Sequence, residues 1–175
     1  MTTTHESLND RYAGIAMTPG KTVLADFVAV LDPVPFKRAR TRRLLAGLGL
    51  SAMGFDRPAE LDAKLVAGYR FTMLVLAFQG NVDQAHGELE HLIECAGPEV
   101  PVMLLMDPAQ ANLAADVRAS DYHDFLMGPF SEEKLLTRLG LLYLNWSRQV
   151  NVKLARRMQE FVQSRLGGES QPMPL

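Results

Sequence analysis

Few residues in this chain can do acid–base, nucleophilic or metal chemistry, and their spacing gives most of them little to work with. The four histidines are His5, His86, His91 and His123. His86 and His91 lie five apart in one helical pattern, which does not align two ligands on one face. No HExxH spacing and no arrangement resembling a catalytic triad is present. A single cysteine, Cys95, excludes an intramolecular disulfide and a multi-cysteine zinc site. Near the end of a helical stretch, it reads as a packed small hydrophobe. Gly47-Leu48-Gly49 closes a helix where a phosphate-binding loop would open one. Lys37, Arg38, Arg40, Arg42 and Arg43 crowd another helical stretch, several of them on one face. Such a face suits an acidic partner surface, or is simply solvated.

Alternating apolar and amphipathic stretches must position these groups. Phe27–Leu31, Thr72–Ala77 and Val102–Met106 are continuous apolar runs, the pattern of parallel strands buried on both faces. Leu50–Phe55 and His123–Met127 are shorter strand candidates. Helices are predicted over Phe36–Leu48, over Pro58–Ala67 with Asp56 as cap, after Gly80-Asn81, and near Ala109–Ala119. Ser131 caps a final helix whose first turn carries Glu132 and Glu133, which suit the macrodipole. Five β-α units predict an α/β fold, a three-layer doubly wound (βα)5 sandwich with an extended C-terminal helix. In such folds ligands sit beyond the carboxyl ends of the strands. That singles out Asp32, the stretch from Ala77 to Gly80, Met106-Asp107 and Met127-Gly128-Pro129.

Composition narrows the function classes. The 175 residues hold 18 Lys plus Arg against 20 Asp plus Glu, a formal net charge of -2, which argues against a generic polyanion binder. The hydrophobic share of 47% and charged share of 22% are those of a globular domain with a proper core. The polar N-terminus lacks a signal-peptide core, and no apolar run approaches the roughly 20 residues of a membrane helix. A cytoplasmic protein with no membrane contact is expected. The expected layout is a flexible arm over 1–20, a folded domain over 21–146, a helical extension over 147–166 and a disordered tail over 167–175.

The strand ends carry a family resemblance. Asp124-Phe125-Leu126-Met127-Gly128-Pro129-Phe130 resembles the D-Y-L-x-K-P-F run at the fifth strand of response-regulator receiver domains. Val28-Ala29-Val30-Leu31-Asp32 resembles their first strand with its acidic pair, Leu74-Val75-Leu76-Ala77 the third, and Pro101 to Met106 the fourth. The resemblance covers residues Val23 to Trp146 and implies a flavodoxin-like parallel sheet in strand order 2-1-3-4-5. Active receivers hold magnesium between clustered carboxylates, phosphorylate an aspartate, and grip the phosphoryl group with a lysine and a hydroxyl. Here Ala77 stands at the acceptor position, Gly128 at the lysine, Met106 at the hydroxyl residue, and Leu31 beside a lone Asp32. The resemblance therefore implies a degenerate receiver with a vestigial pocket of Asp32, Ala77, Met106, Asp107 and Gly128. No catalysis, metal or cofactor is expected. Asp83 would serve as acceptor only after a register slip. By the same resemblance Pro129 is a cis-proline candidate and Phe125 the switch-aromatic position, here a core or interface aromatic. Lys37, Arg38 and Arg42 lie on the helix with which receivers meet a sensor kinase or other signalling protein.

The last helix is the strongest positive feature. No Gly or Pro interrupts the pattern between Gly140 and Gly167, and an apolar stripe recurs beyond the expected end of a receiver. Leu142, Trp146, Val150, Leu154, Met158 and Phe161 are its candidate dimer interface. The alternative is a break near Ser147 with a short helix folding back. The expected protein is thus a phosphorylation-independent receiver-like module acting as a homodimer in a two-component-type pathway. One alternative is a small-ligand sensor using an enclosed vacated pocket, where the module reading expects that space collapsed. Another is an RNA regulator of the antitermination type, disfavoured because no three-helix RNA-binding end is visible. The segment after the receiver-like region is too short for a DNA-binding output domain, and nucleic acid is not an expected partner.

Overall fold

The computed structural model describes residues 27–118 and 122–166. The side chains of 116, 118, 150–155, 157–158, 161–162 and 164–166 lie outside that description, as do the proposed arm (1–20) and tail (167–175). Five strands, β1 (Phe27–Leu31), β2 (Ser51–Phe55), β3 (Met73–Ala77), β4 (Val102–Met106) and β5 (His123–Met127), form one parallel sheet in the order β2-β1-β3-β4-β5. The helices are α1 (Pro35–Gly47), α2 (Pro58–Val66), α3 (Val82–Ala96), a 3-10 stretch Pro108–Leu113 continuing into α4 (Ala114–Arg118), and α5 (Glu132–Leu166).

Side-chain alternation on the strands divides the core between the two sheet faces. Ala29, Leu31, Leu74, Leu76, Val102 and Leu104 point to the side covered by α2 and α3. Val28, Val30, Met73, Val75, Met103 and Leu126 point to the side covered by α1 and α5. Because β1, β3 and β4 are buried on both faces, each reads as an unbroken apolar run.

Two local readings need correction. Asp56 does not cap α2: the N-cap is Arg57, without a side-chain cap hydrogen bond, and Pro58 opens the helix with its preset φ. The helix expected near Ala109–Ala119 is a 3-10 turn and then only five α-helical residues. Asn81 accepts the Asp83 amide at the start of α3, and Ser131 accepts the Lys134 amide at the start of α5.

α5 passes Ser147 without a break and continues to Leu166 as one 35-residue helix. At 1.5 Å per residue that is roughly 52 Å, against roughly 17 Å for a five-residue strand. Its first turns are anchored by buried Leu135, Leu139 and Leu142 and by Arg138, which forks the Asp124 carboxylate at the root of β5. Leu142 therefore belongs to the domain core, at 7% exposure, and is not free for a dimer interface. Trp146 is partly covered and lies 5.7 Å from Tyr143, ring to ring. The large apolar side chains that α5 leaves exposed among the described residues are Leu141 and Leu144, at 53% and 50%. The side chains of Val150, Leu154, Met158 and Phe161 lie outside the described residues. No described helix is long and apolar enough to cross a membrane.

Candidate functional site

Parallel strands end together, so residues far apart in sequence meet at the carboxyl edge of the sheet. There Asp32, Ala77, Met106, Asp107 and Gly128 line one cavity of about 380 Å³. Lys37, Arg40 and Thr41 of α1 complete one wall, and Phe78, Gln110 and Phe130 contribute to the others. The space has not collapsed, contrary to the expectation attached to an interaction module.

Asp32 is buried at the end of β1. One carboxylate oxygen accepts the Val34 amide at 2.9 Å, and its main-chain carbonyl accepts the Arg38 guanidinium. Burial pushes the carboxyl pKa above the ordinary aspartate value, opposed by the Val34 hydrogen bond and by Lys37, Arg38 and Arg40. Arg40 keeps a buried Nε without a hydrogen-bond partner, and its guanidinium carbon sits 6.0 Å from the centre of the Phe130 ring. Asp32 and Asp107 are thus matched on the wall by Lys37 and Arg40. A magnesium site needs an excess of oxygen ligands and negative charge, and the fixed cations here oppose one.

Gln110 is the site residue that sequence reasoning missed. It is buried, donates from Nε2 to the Phe78 carbonyl at 2.9 Å, and accepts the Asp107 amide on Oε1 at 3.2 Å. One amide side chain therefore ties the loop after β3 to the end of β4. The sequence signal was only a glutamine three residues after Asp107, and nothing in it marked the long-range partner at Phe78. The Gly128 amide donates to the Met106 carbonyl at 2.7 Å, closing β5 onto β4, and the Gly128–Pro129 bond is cis. A Cβ on Gly128 would meet the Met106 carbonyl oxygen at 3.6 Å and an Asp107 carboxylate oxygen at 3.8 Å, ordinary contacts. Packing therefore does not require glycine there.

The remaining candidates sit elsewhere. Phe125 packs against the α2–α3 side of the core and does not line the cavity. Asp83 is exposed in the first turn of α3, outside the cavity. The basic residues of α1 diverge: Lys37 and Arg40 reach the cavity, and Arg43 meets exposed Glu132 at 2.9 Å. The stems of Arg38 and Arg42 cover Gly54 of β2, where a Cβ would meet each at 3.2 Å. On the opposite side of the sheet, His91 Nε2 lies 2.8 Å from Asp62 Oδ1 and 3.6 Å from Cys95 Sγ. Burial and the Asp62 carboxylate push the Cys95 thiol pKa upward.

No family model matches the chain, and no curated protein matches it. Solved structures do. A response regulator receiver protein from Sinorhizobium medicae WSM419 superimposes with a TM-score of 0.57 at 15% identity, over 70% of this chain and 97% of that one. Chemotaxis protein CheY4 of Vibrio cholerae gives 0.54 at 20% identity, over 68% and 98%. The beryllofluoride-activated NtrC4 receiver domain dimer gives 0.54 at 18%, over 70% and 99%. The fold is that of a response-regulator receiver. At such identities the likeness carries the architecture and not the chemistry. On the receiver frame, this chain adds the distal length of α5.

Replacing Gln110 by Ala leaves the Asp107 amide and the Phe78 carbonyl without their partner. The expected cost is about 1–3 kcal/mol of unfolding free energy, measured by urea denaturation of the full chain with an unchanged m-value. A loss near zero would show that the bridge is not made in solution.

Proposed function

We propose that this chain is a receiver-fold signalling protein that works without phosphorylation, as a noncatalytic and dimeric interaction module in a two-component-type pathway. The observation that carries the reading is Ala77 at the end of β3, lining the strand-edge cavity. The receiver resemblance places the phosphoryl-accepting aspartate at this position, and a methyl group offers no nucleophile. Met106 and Gly128 support the same reading: a thioether and a bare backbone replace the hydroxyl and the amine that would grip phosphoryl oxygens. Apolar Leu31 and Ala77 also remove carboxylates that would repel Asp32 and Asp107 at the sheet edge.

A second copy is the partner that α5 favours. Leu141 and Leu144 are exposed on the part of the helix that flanks the domain. The sequence continues with Val150, Leu154, Met158 and Phe161 along the distal length. Apolar residues exposed on a long helix are best covered by a matching helix, and two-fold symmetry supplies one. The NtrC4 receiver structure is itself described as a dimer. The exposed basic residues of α1 would face an acidic surface on a sensor kinase or another signalling protein.

One specific observation favours a second reading, that of a small-ligand sensor. The cavity stays open, and Lys37 and the unpartnered Arg40 Nε on its wall suit a small anion.

Two measurements on the full chain test the leading proposal. Incubation with acetyl phosphate and Mg2+ should leave the intact mass unchanged; a phosphoryl adduct that hydroxylamine removes, as it does an acyl phosphate, would overturn phosphorylation independence. Light scattering behind a sizing column should give twice the 19.4 kDa chain mass, and a Leu141→Glu, Leu144→Glu double variant should run as a monomer. A monomeric wild-type chain would defeat the dimer claim.

A further inference from the structure

The seam between α2 and α3 carries an unassigned group of ligating side chains, with Cys95 partly buried against the core and His91 exposed. His91 and Cys95 are separated by four residues on α3, so they share one helical face. Asp62 of α2 packs beside them. Their ligating atoms lie within 4.8 Å of one another. The edges of this triangle are 2.8 Å from His91 Nε2 to Asp62 Oδ1, 3.6 Å from His91 Nε2 to Cys95 Sγ, and 3.8 Å from Cys95 Sγ to Asp62 Oδ1.

Two uses of an Asp-His-Cys group can be separated by which ring nitrogen each neighbour meets. A relay that activates a thiol needs the carboxylate on one imidazole nitrogen and the sulfur on the other. Here the carboxylate oxygen meets Nε2 at 2.8 Å, and the sulfur lies 3.6 Å from that same nitrogen and 3.9 Å from Nδ1, nearest the nitrogen that the carboxylate already occupies. One nitrogen, one sulfur and one oxygen facing each other instead outline three corners of a coordination tetrahedron. With zinc–ligand bonds of about 2.0–2.3 Å, the edges of such a tetrahedron are roughly 3.4–3.6 Å. The two edges to sulfur already match this closely. The His91–Asp62 hydrogen bond would open by roughly half an ångström to admit the ion.

We propose that Asp62, His91 and Cys95 form a zinc site that staples α2 to α3, with the fourth position left to water. The donor set is the argument for the metal. Thiolate and imidazole together favour zinc over magnesium or calcium, and the carboxylate disfavours monovalent copper. Cys95 binds as thiolate, its proton passing to solvent, and the carboxylate and thiolate charges offset those of the cation. The side chains of His91 and Asp62 are 55% and 34% exposed, so the ion can enter without unfolding the helices. The site lies on the opposite face of the sheet from α1 and α5, and its existence is independent of the receiver reading. It departs from the expectation of no metal because histidine–histidine spacing hid the histidine–cysteine pair, and its third member comes from another helix.

The test uses the reduced, metal-free full chain with Co2+ as probe. The expected result is one cobalt per chain, a thiolate-to-cobalt charge-transfer band, and the intense visible absorption of a tetrahedral ion that Zn2+ then displaces. Since Cys95 is the only cysteine, that band reports this site without reference to any variant. His91→Gln and Asp62→Asn should each weaken cobalt binding by more than about tenfold, the scale of loss seen even for supporting groups around a metal. Cobalt binding without the thiolate band, affinities unchanged in both variants, or no binding at micromolar metal would each overturn the proposal.

Discussion

The structure depends on burying a parallel sheet on both faces. β1, β3 and β4 place their side chains alternately into two apolar layers, with Val28, Ala29, Met73, Leu74, Val75, Leu76, Met103 and Leu104 removed from water. At roughly 25 cal/mol per Å² of apolar surface, this burial dominates the favourable side of folding. It also dictates where polar chemistry can occur. Parallel strands run in one direction and stop together, so their carboxyl ends form the edge where polar residues from separate segments meet. The candidate pocket residues lie along that edge.

Leu31 and Ala77 carry the apolar strands β1 and β3 to the sheet edge. The edge is held by hydrogen bonds: the Gln110 bridge, the Gly128 amide on the Met106 carbonyl, the Val34 amide on the Asp32 carboxylate, and the Arg38 guanidinium on the Asp32 carbonyl. These bonds tie the loops at the sheet edge to the strands and to one another. The cavity survives because the Gln110 bridge and the α1 side chains line it without filling it.

Much of the architecture was legible because the apolar runs are long, unbroken and evenly alternated with helical patterns. Strand order followed the receiver resemblance. Local chemistry that depends on one residue's neighbours in sequence, such as the cap at Ser131, could also be read directly. What could not be read are relations made only in three dimensions. Gln110 looks like any loop glutamine until Phe78 is placed beside it. Leu142 sits on the same stripe as Trp146, yet Leu142 is buried in the core while Trp146 stays partly exposed beside Tyr143. Asp56 fits the pattern of a cap, but Pro58 starts the helix one residue beyond its reach. The basic run on α1 reads as a single charged face, whereas tertiary packing sends its members to the cavity, to Gly54 and to Glu132. Asp62, His91 and Cys95 meet only because α2 packs on α3.

The proposed function requires this receiver fold to keep its sheet edge in one conformation without phosphoryl chemistry. Amide chemical shifts of the full chain, recorded before and after adding Mg2+ with beryllofluoride, address it most directly, since that pair mimics the phosphorylated aspartate of a receiver. The expected result is unchanged resonances for Ala77, Met106, Asp107, Gly128 and Phe125. Saturable shifts concentrated at those residues would show a working phosphoryl site and contradict it.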